Sequence, residues 1–214
     1  MLASKTVLEL LDAFSSPAPT PGGGSAAALS GAVAASLLAM VAGMPKTKHG
    51  TPEDRAALDA AHPALMALRT QMVDLIDRDA AAYDLVVAAY RLPKATDDEK
   101  AARKAAIGRA MRVATDVPLE TARAAAALVS HGRVVAEHGN PNAKSDVSVA
   151  MTLAMAAQSG GRVNVEANLG GIGDEPYATA ARLELQTLMR ESAMQLKPAY
   201  EALGWTGHQP PTTA

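Results

Sequence analysis

Three polar side chains stand close together in the second half of the chain. Asn142, Ser145 and Asp146 are spaced i, i+3 and i+4, so a helix would present all three on one face, near its first turn. Such a face could hold a polar ligand, with the carboxylate placed to move a proton. The same residue types also stabilise helix starts as caps, so both interpretations stay open on spacing alone.

Other acidic residues are further candidates for acid–base chemistry. Asp116 precedes Val-Pro at an expected helix break, where its carboxylate would either cap a helix or point into a cleft. Asp77, Asp79 and Asp84 lie in one long predicted helix, and Asp77 and Asp84 share a face because they are seven residues apart. A solvated helix face with local ion pairs is the ordinary explanation for such a group.

A glycine-rich turn leads into a long uncharged segment near the start of the chain. Prolines at positions 19 and 21 come before Gly22, Gly23 and Gly24, and Ser25 follows them. Glycines in front of a helix let the backbone come close to a ligand or to a second helix. The free N–H groups of the helix start then favour an anion or the polar edge of a ligand. The turn is not a P-loop, because no Gly-Lys-Ser/Thr closes it.

A basic loop, residues 45–50, follows the uncharged segment. Its sequence is Pro-Lys-Thr-Lys-His-Gly, which places Lys46, Lys48 and His49 close together. The loop is either an ordinary solvent-exposed connection or a clamp for the carboxylates of a ligand. The residue types alone do not decide between the two.

Several catalytic chemistries lack the residues they need. The chain has no cysteine, which excludes a disulfide framework, a thiol nucleophile and a cysteine-type zinc site. The histidines have none of the spacings of metal ligands, and no serine has an adjacent histidine and acid, so we expect neither a metal centre nor a Ser-His-Asp hydrolase. With 20 basic and 22 acidic residues, there is no basic excess for nucleic-acid binding.

The elements that must position these residues are all predicted to be helices. No convincing strand alternation occurs, and 214 residues suffice for one domain with a sizeable core. We expect an all-α, single-domain bundle of long helices over residues 1–203 and a flexible tail over residues 204–214. The expected helices cover residues 5–14, 23–44, 52–91, 97–113 continuing to 137, 141–161 and 175–203.

Prolines and glycines inside these segments leave some helix paths open. Pro63 would kink the third helix, and Pro118 marks either a kink or a fresh start in the fourth. The fifth helix either ends near Gly160 and Gly161 or bends there and continues to Asn168.

The uncharged segment, residues 26–44, has about the length that spans a bilayer. Because it consists mostly of Ala, Gly and Ser, which have little drive to enter lipid, a fully buried core helix is the better interpretation. Aromatic residues are scarce, at 3% of the chain. A core built from small side chains suggests that further surface is buried in an oligomer, and we expect a homodimer.

Four stretches, in order along the chain, resemble a known family. Residues 19–28 are similar to the start of the folate-dependent cyclodeaminase/cyclohydrolase family, and residues 139–150 are similar to its G-N-x-N-x-x-S-D motif. Residues 115–119 are similar to the family's third block, and residues 162–174 also fit. The resemblance extends over nearly the whole chain, and separate matches in order are much more specific than one glycine run.

This resemblance implies a helical homodimer with clefts near the subunit contact, acting on one-carbon units carried by tetrahydrofolate. One implied reaction hydrolyses 5,10-methenyltetrahydrofolate to the 10-formyl form. The other closes 5-formiminotetrahydrofolate to the methenyl form and releases ammonia. The length of the chain and residues 92–94 look closest to stand-alone bacterial cyclohydrolases, so we expect hydrolysis. A folate-binding helical dimer without catalysis is the alternative outside the enzymes.

The resemblance also suggests roles for the candidate residues. Asp146 is the expected catalytic carboxylate, which would favour the amidinium cation of the substrate, and Asp116 is a second candidate. The expected substrate contacts are Gly22, Gly23, Gly24, Ser25, Lys46, Lys48, Asp79, Asn140, Asn142 and Ser145. Many family members have Lys-Lys-Tyr in the basic loop, where this chain has Thr-Lys-His. We expect no metal, no cofactor beyond the folate substrate, no nucleic-acid or membrane partner, and a cytoplasmic location.

Overall fold

The computed structural model describes residues 1–205, which form six α-helices and two short 3-10 helices. The 3-10 helices are Leu2–Ser4 and Pro141–Ala143. The α-helices are α1 Val7–Ser15, α2 Gly23–Ala42, α3 Pro52–Tyr90, α4 Asp97–His138, α5 Lys144–Leu169 and α6 Glu175–Leu203. Residues 1–205 contain no strand, so the predicted all-α fold is confirmed. The division into a domain and a tail stays a prediction, and residues 206–214 of that tail lie outside the described residues.

Threonines begin three of the helices. The hydroxyls of Thr6, Thr51 and Thr96 each accept a hydrogen bond from the backbone N–H three residues on, and the acidic side chain there accepts one from the threonine N–H. These capping boxes satisfy two backbone donors at each helix start.

Proline does not end the long helices. Pro63 lies inside α3, and Pro118 lies inside α4, which is one helix from Asp97 to His138, so a fresh start at Pro118 is wrong. α5 likewise continues through its two central glycines to Leu169, which is the longer of its two predicted paths.

A side chain from α5 compensates for the proline in α4. Pro118 has no N–H, so the Ala114 carbonyl oxygen lacks its partner in the helix. The Asn168 Nδ2 donates to that oxygen at 2.6 Å. Gly161 allows the close approach that this contact needs, since a Cβ there would lie 2.7 Å from the Pro118 carbonyl oxygen. Tertiary contacts therefore keep α4 continuous where its sequence indicates a break.

Glycines also let two methionines into the centre of the core. A Cβ on Gly31 would lie 2.6 Å from the Met72 sulfur, and one on Gly132 would lie 2.2 Å from the Met151 sulfur. Both methionines are fully buried. The small residues of α2 and α4 thus form sockets that the flexible thioethers fill.

α2 lies antiparallel to α5 in the middle of the bundle. Near the start of α2, Ala27 packs against Gly160, whereas near its end Val41 packs against Gly139. By length and composition α2 could cross a membrane, but 61% of its apolar window is buried inside the bundle. That burial is what the prediction of a core helix requires.

The two ends of α2 define two ends of the bundle. The glycine end consists of residues 22–25 with Asp79 of α3 and Asn164 of α5. The loop end consists of residues 45–50 and 138–146. Because α2 has 20 residues, the two ends are about 30 Å apart.

Candidate functional site

The glycine end brings the start of α2 against Asp79. A Cβ on Gly24 would lie 2.0 Å from the Asp79 Oδ1, so only glycine leaves room for this carboxyl group. The neighbouring glycines differ, because a Cβ on Gly22 or Gly23 would make only ordinary contacts, at 3.7 Å and 3.5 Å. Of the three predicted glycines, Gly24 is therefore the one whose missing side chain the site requires.

Ser25 provides the side-chain hydrogen bond to this carboxyl group. Its Oγ lies 2.9 Å from the Asp79 Oδ2 and 3.0 Å from the Ile76 carbonyl oxygen. A hydroxyl has one proton and two acceptor lone pairs. Ser25 can therefore donate to the Asp79 carboxylate, or donate to Ile76 while it accepts from a protonated Asp79. Both protonation states of the buried carboxyl group are accommodated.

The surroundings of Asp79 favour its neutral form. Burial raises the pKa of Asp79 above its ordinary value, and the hydrogen bonds from the side chain and backbone of Ser25 oppose that rise only in part. A carboxyl group whose pKa is raised towards neutral pH is better suited to accept and return a proton. Asp79 is the only carboxyl group among the described residues with a resolved upward pKa shift.

Backbone donors adjoin this carboxyl group. No side chain caps α2 at Gly22. Within residues 1–205, the N–H groups of Gly23 and Gly24 make no hydrogen bond to a protein acceptor. Unsatisfied N–H groups at the start of a 20-residue helix attract an anion or a developing oxyanion. The glycine end thus pairs a proton acceptor with donors for a negatively charged oxygen.

Asn164 completes the glycine end, and sequence analysis missed it as a site residue. Its Nδ2 lies 3.5 Å from the Cβ position of Gly23 and donates to the Gly160 carbonyl oxygen at 2.9 Å. Its Oδ1 accepts no hydrogen bond from residues 1–205. The one sequence signal was its place within residues 162–174, which resemble the family.

The acidic neighbours of Asp79 have other roles. Asp77 accepts hydrogen bonds from the backbone N–H groups of Leu2 and Ala3, so it anchors the N-terminal segment. Asp84 is exposed on the surface of α3. Asp79 differs from both because its carboxyl group lies against Gly24 at the start of α2.

Asp116 joins α4 to α6. The Tyr177 hydroxyl donates to its Oδ1 at 2.6 Å, and the Arg112 guanidinium lies 4.3 Å from the centre of the Tyr177 ring. Burial and the Asp116 carboxylate together raise the pKa of Tyr177, which keeps its hydroxyl protonated as a donor. Asp116 is thus engaged in a helix–helix contact in this chain.

At the loop end, a buried carboxylate fixes the basic loop to α4. Asp54 Oδ1 lies 2.8 Å from the His138 Nδ1, and its Oδ2 accepts from the backbone N–H groups of His49 and Thr51. The bond from His138, with the backbone and side-chain bonds from Thr51 and the backbone bond from His49, holds the pKa of Asp54 well below its usual range. Asp54 is therefore a charged structural anchor.

Other cations of the loop end have structural partners. The Lys48 Nζ donates to the Ala202 carbonyl oxygen at 2.7 Å, which ties the loop to the end of α6. Arg55 donates to the carbonyl oxygens of Ala42 and Met44, at 2.7 and 2.9 Å, and so caps the end of α2. Lys46 is exposed and makes no such contact within residues 1–205. One donor of the Lys48 ammonium is thus used within the fold, and the role of Lys48 in substrate binding stays a prediction.

The polar cluster before and within α5 lies at the same end. Asn140 Oδ1 accepts from the Asn142 backbone N–H at 3.0 Å, which shapes the 3-10 turn. Ser145 is exposed, and Asp146 lies in the first turn of α5 with no side-chain bond within residues 1–205. The expected site residues are therefore not all brought together within one subunit. Asp79 lies at the glycine end of the bundle and Asp146 lies at the loop end.

The sequence and the fold both resemble known proteins. The sequence model of the family described as formiminotransferase-cyclodeaminase matches residues 6–187, most of the chain. The chain belongs to the formiminotransferase-cyclodeaminase family. The resemblance recognised in the sequence is thereby confirmed. Within residues 1–205, no group of three or more His, Asp or Glu side chains is placed to hold a metal ion.

Relatives in this family differ in length and in name. The chain is 39% identical over 203 residues to the methenyltetrahydrofolate cyclohydrolase of Methylorubrum extorquens, covering 95% of this chain and 98% of that protein. It is 30% identical over 191 residues to the formimidoyltransferase-cyclodeaminase of Gallus gallus, covering 89% of this chain but 35% of that protein. The match to the cyclohydrolase is thus a match of whole chains, whereas the other covers about a third of a longer protein.

A solved structure shares the fold. The crystal structure of formiminotetrahydrofolate cyclodeaminase from Thermotoga maritima superposes with a TM-score of 0.84 at 26% sequence identity. The match covers 95% of this chain and 98% of that one. The helical bundle is therefore the fold of a family member with a named folate activity.

Proposed function

We propose that this family member hydrolyses 5,10-methenyltetrahydrofolate to 10-formyltetrahydrofolate, with Asp79 as its proton-transfer group. The observation that carries the assignment is the half-buried Asp79 carboxyl group, which has a raised pKa and lies beside the open start of α2. The whole-length similarity to a methenyltetrahydrofolate cyclohydrolase supports the substrate. This proposal moves the catalytic role from Asp146, expected from the sequence, to Asp79.

The reaction needs one group that accepts a proton and later releases it. Water adds to the carbon between N5 and N10 of the amidinium cation, and Asp79 takes the proton that this water loses. The resulting tetrahedral carbon carries an oxygen that the N–H groups at the start of α2 would stabilise as negative charge develops. The carbon–N5 bond then breaks, the remaining hydroxyl proton ends on N5, and the formyl group stays on N10. One proton is released overall.

Cyclodeaminase activity is the second candidate, supported by the names of the longer relatives and of the solved structure. In that reaction N10 attacks the formimino carbon and ammonia leaves. Asp79 would take the N10 proton and return it to the leaving nitrogen, so the same group serves both reactions. A folate-binding dimer without catalysis remains the alternative outside the enzymes.

The assay follows the near-ultraviolet absorbance of the methenyl compound, which falls on hydrolysis. We expect loss above the spontaneous rate with the purified protein, and little ammonia release from 5-formiminotetrahydrofolate. Faster ammonia release than hydrolysis would favour the cyclodeaminase instead. Tight folate binding with neither reaction would leave the non-catalytic dimer.

We further propose a homodimer formed through α2 and α5. Each helix has an outer face of uncharged residues at alternating three- and four-residue spacing, the pattern of packed helix pairs. On α2 the face is Ala26, Ser30, Val33, Leu37 and Met40, and on α5 it is Ser145, Val149, Thr152, Ala156, Ser159 and Val163. Val33, Met40, Val149 and Val163 are 43–54% exposed in the single chain. A second copy that covers this face would bury them.

A two-fold axis through the middle of that face would also reconcile the two clusters of site residues. It would reverse α2 of one subunit against α2 of the other, so the loop end of the partner would approach the glycine end. Lys46 and Asp146 would then reach the substrate from the partner subunit. Residues from both ends would then contribute to one site, with Asp79 as its proton-transfer group.

Light scattering tests the dimer. We expect the wild-type protein to have the mass of a dimer at micromolar concentration, and Val33→Lys to have the mass of a monomer. Val113→Lys is the matched control, because Val113 is 41% exposed on α4, away from this face. A wild-type monomer, or a dimer that survives Val33→Lys, would count against this interface.

Subunit mixing tests whether the site is shared. Asp79→Asn and Asp146→Asn dimers should each have low activity, since each alters both sites. After dissociation and reassociation in equal amounts, half of the dimers would be mixed, and each mixed dimer would have one unaltered site. About a quarter of wild-type activity should return, by this symmetry argument. No recovery, or full activity of Asp146→Asn alone, would confine the site to one subunit.

A further inference from the structure

The N-terminal helix α1 has an apolar face that its own chain leaves bare. Val7, Leu8 and Leu11 are 78%, 69% and 56% exposed, and their spacing puts them on one side of the helix. Leu10 is the one residue of α1 that the chain buries. Within residues 1–205, α1 makes only slight contact with the other helices. A nine-residue helix is marginal by itself in water, so this face needs a surface to pack against.

The chain holds α1 beside the glycine end of the bundle, on the side of α3. Before α1, the backbone N–H groups of Leu2 and Ala3 donate to Asp77 of α3, and Leu2 packs on the main core. After α1, residues 16–22 lead directly into the glycine turn. Both ends of α1 are therefore tied to the bundle, while its bare face points into solvent.

An open groove between α2 and α3 lies towards the loop end. It encloses about 340 Å³, and two methionines line it, Met40 of α2 and Met66 of α3, which are 45% and 40% exposed. His62 and Arg69 of α3 supply its basic side chains, and the described lining contains no acidic residue. Neither basic side chain makes a hydrogen bond or an ion pair within residues 1–205. The groove therefore combines apolar thioethers with a guanidinium that has no partner in the single chain.

The bare face of α1 and the groove are complementary. α1 has two acidic residues, Glu9 and Asp12, and no basic one. Glu9 accepts hydrogen bonds from Thr6 in the capping box, whereas the Asp12 carboxylate is exposed and unpaired within residues 1–205. Asp12 follows Leu8 by four residues, so its carboxylate flanks the apolar face. A carboxylate beside leucines thus matches a guanidinium beside methionines, whose flexible side chains adapt to a partner.

The two-fold axis proposed above brings these surfaces together. It places α2 of one subunit over α2 of the other in reverse, so each helix keeps its neighbours on the same side. The glycine end of one subunit, with α1 on the side of α3, then lies over the groove of the other. Met40 belongs to both the groove and the proposed face of α2 and α5, so the two contacts are continuous. Within its own chain α1 is tied near Asp77, about 17 Å along α3 from Met66, so a second copy supplies the helix that fills the groove.

We propose that α1 of each subunit packs into the α2–α3 groove of the other. The three exposed apolar residues of α1 cover the two methionines, and Asp12 pairs with Arg69. The inference rests on the proposed dimer and extends its interface at both ends. Because α1 continues into the glycine turn, the contact also ties the Asp79 site of one subunit to the other subunit.

Single cysteines test the contact, because the chain has none of its own. Leu8→Cys and Met66→Cys proteins are mixed, dissociated, reassociated and treated with a short bismaleimide. About half of the dimers then hold one chain of each kind, and each of these has one facing pair of cysteines. We expect a product of twice the chain mass on a denaturing gel, from the mixture and from neither variant alone. Leu8→Cys mixed with Val113→Cys is the matched control and should give no product, because Val113 is as exposed as Met66 but lies on α4.

The outcomes separate this contact from the dimer itself. No product from the Leu8→Cys and Met66→Cys mixture, while light scattering shows a dimer, overturns the proposal and leaves the dimer standing. A monomer in light scattering overturns both, and neither result affects the hydrolysis assay. Equal product from the Val113→Cys mixture also overturns the contact. So does cross-linking of Leu8→Cys/Met66→Cys within one chain, which leaves the chain mass unchanged and assigns the groove to the chain's own α1.

Charge reversal tests the ion pair. Asp12→Arg and Arg69→Asp each place like charges in contact, and both positions are exposed, so the fold should be kept. We expect each to raise the dimer dissociation constant about fivefold, the scale of an exposed charge pair, and Asp12→Arg/Arg69→Asp to return within about twofold of wild type. Asp84→Arg makes the same change at an exposed position of α3 outside the groove and should leave the constant unchanged. Analytical ultracentrifugation measures these constants, and additive weakening in the double variant overturns the pairing.

Discussion

Asp54 and Asp79 are two enclosed carboxyl groups on the same helix, and their surroundings are opposite. Asp54 receives bonds from a histidine and from two backbone N–H groups, and its pKa is lowered. Within residues 1–205, Asp79 has hydrogen bonds only from the side chain and backbone of Ser25, whose hydroxyl also contacts the Ile76 carbonyl oxygen, and burial raises its pKa. Burial prevails over the Ser25 hydrogen bonds at Asp79, whereas the hydrogen bond from His138 prevails over burial at Asp54, and this balance decides which carboxyl group stays ionised and which can exchange a proton.

The largest expected effect is that of Asp79→Asn on turnover. Asn keeps the size of the side chain but cannot take a proton, so methenyl hydrolysis should fall by roughly 10²–10⁴-fold, the range for losing one acid–base group. Asp84→Asn is the matched control, since it makes the same change at an exposed position on α3. Near wild-type rates in Asp79→Asn would show that Asp79 is not the proton-transfer group.

Gly24→Ala and Gly23→Ala test whether the position of the Asp79 carboxyl group depends on the missing side chain of Gly24. Alanine at position 24 would place its Cβ 2.0 Å from the Asp79 Oδ1 and force the carboxyl group aside, whereas position 23 has ordinary space. We expect kcat to fall about 10²-fold for Gly24→Ala, the usual result of misplacing a reacting group by about 1 Å. Gly23→Ala should keep kcat within a few fold. Equal rates in steady-state assays of the two variants would contradict the requirement for Gly24.

Asp54→Asn should act on stability and not on chemistry. Asn cannot accept the bonds from His138, His49 and Thr51 together, so Tm should fall by a few degrees while kcat per folded molecule is kept. The lowered pKa means that Asp54 stabilises the fold above its unfolded pKa of about 3.8, and that this stabilisation is lost as the pH falls further. The Tm difference from wild type should therefore be complete at pH 6 and shrink below pH 4, as calorimetry at several pH values would show. A difference that is constant with pH would refute this role.

The smallest expected effect is a rise in Tm for Asp79→Asn at pH 7. Because the pKa of Asp79 is raised, its ionised form destabilises the fold at a pH above the folded pKa, and a neutral amide removes that penalty. The gain should disappear below about pH 3.8, where Asp79 is protonated in both folded and unfolded states. The sign is opposite to that of Asp54→Asn. A loss of stability at pH 7 would mean that Asp79 mainly caps α2.

The helices could be predicted from the sequence, but the set of residues that the fold brings together in the site could not. The threonine caps and the buried α2 follow from local chemistry that is complete in the sequence. The continuity of α4 through Pro118 is different, because it depends on Asn168 from another helix. Asp79 and Asp77 are two residues apart, yet only the packing of α2 distinguishes the site residue from the anchor. Spacing within one helix also could not show that Asp146 and Gly24 lie at opposite ends of the bundle.

The sockets formed by Gly31 and Gly132 have a consequence for oxidative damage. Met72 and Met151 are fully buried, so in the folded protein an oxidant reaches exposed sulfurs such as that of Met194 first. In the unfolded chain all thioethers are accessible, and a sulfoxide is larger and polar. If Met72 or Met151 is oxidised while the chain is unfolded, its sulfoxide does not fit the socket that holds the unmodified thioether in the folded protein. Folding thus protects Met72 and Met151 from oxidation, and their oxidation in the unfolded chain would prevent refolding.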